Sequence, residues 1–136
     1  MKKIVAFMAL IFMSVLSFAN EEVLTVVGKA PSGEDCTYQV MKMNDWEGQI
    51  VIYLNGEQGN FRVELNSQAF EKGVILSQFE ASVDMTFIDG VLNVFVAGDD
   101  GDADRVIKIT TEGGDILKPS SAIATQAPEE YNCRFN

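Results

Sequence analysis

Histidine is absent from the 136-residue sequence, and cysteine and tryptophan are scarce, with two residues and one residue. The missing imidazole removes the commonest general base, the usual partner of a serine or cysteine nucleophile, and the commonest zinc or copper ligand. The acidic residues lie in turns, beside them, or on the polar side of predicted strands, where solvation suffices. We therefore predict no catalytic residues, no cofactor-binding residues and no enzyme. Hydrolysis by a pair of carboxylates is a less favoured alternative.

Long apolar runs are confined to the N-terminus. Lys2-Lys3 precedes an apolar run over Ile4–Leu16, and Ser17-Phe18-Ala19 is a small-x-small cleavage site. These are the features of a secretory signal peptide, and the run is shorter than the ~20 residues that cross a bilayer. We predict that residues 1–19 are removed on export. Residues 20–136 then form a single domain in the bacterial periplasm or outside the cell, with no stable membrane insertion.

Basic residues are also few, with ten lysines and arginines against 20 acidic residues. After loss of the predicted signal, eight basic and 20 acidic residues remain, a net charge of −12. This balance opposes binding to nucleic acid, because a protein displaces phosphate counterions with a basic stripe. The expected partner is an unknown protein or small molecule, and not a nucleic acid.

The two cysteines allow one disulfide within the chain. Cys36 lies near the start of the predicted mature chain and Cys133 near its end. An even cysteine count in an exported protein indicates a structural bond, and the C-x-x-C spacing of a redox pair is missing. The Cys36–Cys133 bond would close a loop of roughly a hundred residues, which the chain-entropy model values at about 4–5 kcal/mol.

The clearest local pattern is a β-hairpin over Glu80–Gly98. Asp89-Gly90 lies between two apolar-rich runs and favours a two-residue turn with positive φ at both centres. Because side chains alternate along a strand, pairing outward from Ile88–Val91 joins apolar residues on one face: Phe87–Leu92, Met85–Val94 and Val83–Val96. The other face carries Ile88, Val91 and Phe95, which on a sandwich would be a half-buried second face or a partner-binding patch. We favour core under a second layer or a closed sheet.

Other β-branched or alternating runs predict further strands: Glu22–Lys29, Cys36–Met43, Gln49–Leu54, Phe61–Leu65, Val74–Phe79 and Arg105–Thr111. A loop pairing Leu54 with Phe61 and Ile52 with Val63 is favoured over a tight Asn55-Gly56 turn, because it buries more. About eight short strands predict an all-β fold, and both an antiparallel sandwich and a small closed barrel stay open.

Two segments are predicted to lie outside the strands. Asn66–Gly73 carries a capping residue, helix formers and a terminal glycine, which indicates one short helical turn. From Pro119 the chain is rich in serine, alanine, threonine and proline. We predict a loose C-terminal tail from about residue 119, held only by Cys133.

One acidic loop carries the only positive signal for a ligand. Four carboxylates fall within six residues, at Asp99, Asp100, Asp102 and Asp104. The D-x-D-x-D spacing resembles the first half of a calcium loop, but Arg105 replaces the turn glycine and Thr111 the bidentate glutamate. We favour an acidic loop that keeps the turn soluble and discourages edge pairing. A calcium site formed by the four aspartates is the alternative, and Ca²⁺ is the one cofactor that the sequence suggests.

These observations favour an exported, non-catalytic β-domain that acts as a binding or interaction module, with or without calcium in its acidic loop. A carrier that holds a small apolar ligand inside a β-barrel is the alternative, and it requires an internal cavity of a few hundred Å³.

Overall fold

The computed structural model describes residues 20–43, 49–65 and 83–136, which form one nine-stranded antiparallel sheet. The strands are β1 (Glu21–Lys29), β2 (Asp35–Lys42), β3 (Ile50–Asn55), β4 (Asn60–Leu65), β5 (Val83–Ile88), β6 (Val91–Val96), β7 (Arg105–Glu112), β8 (Asp115–Gln126) and β9 (Glu129–Arg134). The order across the sheet is β4-β3-β2-β1-β9-β8-β7-β6-β5, and the sheet curls into a half-barrel. The all-β prediction is confirmed.

Three predicted segments lie outside the described residues. They are the signal peptide over residues 1–19, the helical turn over 66–73 and the strand over 74–79. In the described part of the chain, no helix is long and apolar enough to cross a membrane.

The predicted hairpin is confirmed as β5–β6. Asp89 has φ 53° and Gly90 has φ 76°, the two positive values that the tight turn requires. The predicted register is present from Ile88↔Val91 to Val83↔Val96. The longer loop between β3 and β4 is also confirmed, because Leu54 pairs with Phe61 and Ile52 with Val63.

The hydrophobic core lies on the concave face of the curled sheet. Alternate side chains of both halves of the sheet point into it and are fully buried, among them Tyr38, Val40, Ile52, Leu54, Leu92, Ile107 and Ile109. Since side chains alternate along each strand, burying one face leaves most of the opposite set outside, with the fully buried Val51 of β3 as an exception. The curl therefore closes one core without a second sheet among the described residues.

The prediction of a loose C-terminal tail is wrong. The segment from residue 119 continues β8 and forms β9, which pair from Ser121↔Arg134 to Gln126↔Glu129. Its small residues are core residues, since Ala122 and Ala124 are fully buried opposite Cys133 and Tyr131. Small side chains are needed there because the disulfide and the tyrosine ring occupy the space on the same face.

The prediction that the outer residues of the hairpin belong to the core is also wrong. The side chain of Ile88 is 63% exposed and that of Phe95 is 43% exposed, while Val91 is half-buried. The prediction assumed a second layer or full closure. The half-barrel buries its concave face alone at this point, so these residues lie on the convex outer face.

The contact between β1 and β9, which we call the seam, has almost no backbone pairing. β1 and β9 pair at one position, Lys29↔Arg134. The predicted disulfide is confirmed beside it, joining Cys36 of β2 to Cys133 of β9 with the two Cα atoms 6.0 Å apart. A sulfur bridge therefore supplies much of the connection that backbone hydrogen bonds supply elsewhere in the sheet, and it fits an oxidising environment.

Candidate functional site

The predicted acidic loop is closed by hydrogen bonds within the loop itself. The amide of Asp102 donates to the carbonyl of Asp99 (2.9 Å), and the amide of Gly98 donates to a carboxylate oxygen of Asp104 (2.8 Å). In the described part of the chain, no three acidic or cysteine side chains are arranged to hold a metal ion. The structure thus does not gather Asp99, Asp100, Asp102 and Asp104 into a ligand set, and calcium binding stays a prediction.

A cavity of about 360 Å³ lies beside the seam, and we call it the seam crevice. One wall is the turn between β1 and β2, over Ala30–Glu34, and a second is the loop between β3 and β4, at Gly56–Gln58. The third wall is the outer side of β8 and β9, including Ile123 and Asn132. Three segments that are distant in sequence therefore enclose one concave site.

The crevice lies where β1 has ended and β9 continues beside the β1–β2 turn. β9 pairs with β8 along its whole length, whereas it meets β1 only where Lys29 faces Arg134. From that point, Glu130–Asn132 runs along the crevice with no β1 residue paired to it. The strands β1 and β9 are offset, so the stretch of β9 that β1 does not cover is left as one side of the crevice.

Two of the walls are fixed by backbone hydrogen bonds. In the first wall, the amide of Ala30 donates to the carbonyl of Glu34 at 2.9 Å. In the second, the amide of Gly56 donates to the carbonyl of Gly59 at 3.1 Å, and the amide of Glu130 donates to the carbonyl of Gln58 at 3.3 Å. The last bond connects the β3–β4 loop to β9, so the crevice is held in shape across the seam.

Tyr131 and Cys36 are buried residues that line the crevice, and they form its apolar base. The Tyr131 side chain is buried, and its hydroxyl donates to the carbonyl of Thr37 at 2.7 Å. Burial raises the pKa of the Tyr131 phenol well above its ordinary value, so the group stays a neutral donor. A Cβ at Gly56 would lie 3.1 Å from the Tyr131 ring, so the loop glycine sits directly against the aromatic surface.

The crevice carries acidic groups and no basic group among the described residues that line it. Its four carboxylates belong to Glu34, Asp35, Glu57 and Glu130. Asp35 forms an ion pair with Lys29, while the other three form no ion pair with a described residue. The glutamates are exposed at the rim, so their charges face whatever enters.

A row of exposed apolar side chains leads to the crevice across the convex face, and we call it the outer strip. Its members are Phe95 of β6, Val106 of β7 and Ile123 of β8, which are 43%, 44% and 44% exposed. Phe95 is paired directly with Val106, and Ile123 is one diagonal step from Val106, because Val106 pairs with Thr125. Diagonal neighbours on a sheet face are close enough to touch through long side chains. Ile123 also lines the crevice, so the two features form one surface.

Sequence reasoning missed the seam crevice. Pro31–Glu34 and Asn55–Asn60 have ordinary turn composition, and the segment of β8 and β9 was predicted to be a tail. Nothing local in these three stretches indicates that they meet. Comparisons with models of protein families, with curated proteins and with solved structures find no match, so the site is interpreted from its own geometry.

Proposed function

We propose that the protein is an exported, non-catalytic binding module whose partner is another polypeptide. The observation that carries this proposal is the continuity of the outer strip with the seam crevice through Ile123. Single exposed apolar residues are normal on a protein surface. A contiguous apolar row that ends in a concave site is typical of interaction surfaces.

The strip is rigid enough to present a fixed surface. Its residues lie on β6, β7 and β8, which are fully paired with one another over this region. A surface on paired strands loses little conformational entropy on binding. Phe95 offers an aromatic side chain near one end, and aromatic residues are enriched among those that dominate binding energy.

Export is supported by the disulfide together with the N-terminal sequence. The Cys36–Cys133 bond closes across 97 residues of sequence, and such bonds persist in oxidising compartments. The Lys2-Lys3 start, the apolar run and the small residues at 17–19 match a secretory signal. We place the module in the bacterial periplasm or outside the cell.

The ligand-carrier hypothesis is the second candidate, since the crevice volume lies within the range of small-molecule sites, roughly 300–1,000 Å³. The crevice is open at the seam, however, while the concave interior is filled by buried side chains such as Leu54, Leu92 and Ile109. Carboxylate-based hydrolysis has less support, because Glu57 and Glu130 are exposed and a general acid at neutral pH needs an environment shielded from water.

Site-specific photo-crosslinking in the cells that make the protein tests the proposal. A photoreactive phenylalanine analogue is placed at Phe95 and, in a control, at Val27, which is apolar and 60% exposed but pairs with Thr37. We expect one discrete protein adduct from position 95 and none from position 27. Equal labelling at both positions, or no adduct from position 95, would contradict the proposal.

A further inference from the structure

We propose that the seam crevice receives a basic side chain of the partner polypeptide, an arginine or a lysine. This inference rests on the proposed function and specifies which chemistry the partner presents. It is carried by three properties of the crevice: its charge, its apolar base and its fixed walls.

The charge of the crevice selects a cation. Glu34, Glu57 and Glu130 reach it from three different segments, and none of them has an ion-pair partner among the described residues. Three cations lie nearby among the described residues, Lys29, Lys108 and Arg134, but none of them lines the crevice, and Lys29 is engaged by Asp35. A cleft lined by one sign of charge focuses its field and raises the local concentration of the opposite charge. The whole chain adds to this field, with a formal net charge of −10.

The apolar base selects an organic cation over a metal ion. Pro31, Ile123 and the Tyr131 ring line the same cavity as the carboxylates. A metal ion needs several oxygens converging on one point, and the described residues hold no such group. Lysine and arginine instead bury an aliphatic stem along apolar surface while the charged head stays near water and carboxylates. The crevice offers both environments, because apolar and acidic side chains line it together.

The fixed walls favour binding without rearrangement. Glu130 is held next to the β3–β4 loop by the bond from its amide to the Gln58 carbonyl. Gly59 packs closely there, since a Cβ on it would lie 3.0 Å from the Glu130 amide nitrogen and from the Glu129 Cβ. The backbone that carries Glu57 and Glu130 is therefore in place before a ligand arrives, which lowers the entropic cost of binding.

The test uses a defined peptide, acetyl-Ala-Arg-Ala-Arg-Ala-amide, titrated into the purified protein and followed by amide chemical shifts. The control peptide has citrulline at both arginine positions, which keeps the shape and removes the charge. We expect shifts for the arginine peptide at Gly56, Ile123 and Asn132, and none at Asp89-Gly90 of the distant hairpin turn. The citrulline peptide should bind at least about tenfold more weakly, because a charge-assisted contact is replaced by a neutral one.

Matched variants separate the crevice from the acidic surface in general. Glu57→Gln with Glu130→Gln removes two crevice charges, and Glu21→Gln with Glu112→Gln removes two exposed charges elsewhere. The first pair should weaken binding of the arginine peptide about tenfold and the second less than about twofold. Equal losses, or shifts spread over the acidic surface, would overturn the inference.

The two proposals fail in different ways. If position 95 crosslinks but the arginine peptide does not bind at the crevice, the proposal of a basic side chain is rejected and the proposal of a binding module stands. An absence of crosslinking at Phe95 would remove the binding module itself, and with it the partner to which the basic side chain was assigned.

Discussion

The β5–β6 hairpin and the β1–β9 seam are two junctions of one sheet, and they are built in opposite ways. In the hairpin, six residue pairs from Val83↔Val96 to Ile88↔Val91 are joined by a two-residue turn. In the seam, the single pair Lys29↔Arg134 is supplemented by the disulfide. Backbone pairing leaves no space between strands, whereas a contact made through side chains does. The incomplete junction is the one that holds the crevice.

Two tyrosine side chains connect the strands around the seam, one from β2 and one from β9. The Tyr38 hydroxyl donates to the carbonyl of Ile116 and the Tyr131 hydroxyl to that of Thr37, each at 2.7 Å. Each bond joins segments more than 70 residues apart in sequence. The stability of the seam should therefore depend on a few individual side chains, and the stability of the hairpin on its turn. Variants of each junction separate these two dependences.

Removal of the disulfide should have the largest effect. Replacing Cys36 and Cys133 by alanine releases a loop that spans 97 residues, and loss of such a bond typically lowers the free energy of unfolding by about 2–5 kcal/mol. Urea unfolding of the variant and of the native protein measures the difference. A loss below about 0.5 kcal/mol would show that the seam does not need the bond.

A side chain at Gly28 should be the next most damaging change. A Cβ there would lie 2.1 Å from the Arg134 carbonyl oxygen and 2.8 Å from the Cys133 sulfur. Because the closest obstacle is backbone, Gly28→Ala should force the seam apart and cost about 1–3 kcal/mol. The neighbouring Val27→Ala, at a 60% exposed position, should change stability by less than about 0.5 kcal/mol. Equal effects would mean that the seam is not closely packed.

The corresponding change in the hairpin is Gly90→Ala. Gly90 has φ 76°, and a side chain in the left-handed region costs about 1–2 kcal/mol. The added Cβ would also lie 3.2 Å from the Thr111 carbonyl oxygen. Urea unfolding measures the loss in the free energy of unfolding, and peptide binding shows whether the change also affects the crevice. We expect lower stability with unchanged affinity for the arginine peptide, and a matching loss of affinity would contradict the independence of the two junctions.

Alkaline pH should weaken the seam by the smallest amount. Burial, aided at Tyr38 by the Asp115 carboxylate, raises the pKa of both Tyr38 and Tyr131 in the folded protein. The unfolded chain then loses these protons at a lower pH than the folded protein does. The contribution of the two tyrosines to stability is therefore present below pH 10 and declines above it. At pH 10.5 each tyrosine should account for a loss of about 0.8 kcal/mol in the free energy of unfolding. Tyr131→Phe should reduce the decline by that amount between pH 8 and 10.5, and an unchanged decline would exclude Tyr131 as a cause.

The same contrast explains what the sequence could reveal. The hairpin register follows from neighbouring residues, because Asp89-Gly90 fixes the turn and alternation fixes the face. The disulfide followed from counting two cysteines. The position of β9 beside β1 depends on contacts between Gly28 and Cys133, which no local pattern encodes. The crevice, which requires that position, could not be predicted.

The errors at the C-terminus have a physical cause as well. Serine, alanine and proline indicate a loop when the neighbours of a segment are unknown. In the structure, Ala122 faces Cys133, and Pro119 lies opposite Thr111 at an irregularity in the β7–β8 register. Bulges tolerate proline, and a crowded core face requires a small residue. Both the alanine and the proline are compatible with a strand once the neighbouring strand is known.

Amide hydrogen exchange, with and without the arginine peptide, tests the central claim most directly. The incomplete seam is predicted to be the binding site, so added protection should appear at Gly56–Gln58 and Glu130–Asn132. It should be absent from Phe87–Leu92, where pairing is already complete. Added protection at the hairpin, or none at the seam, would contradict the account.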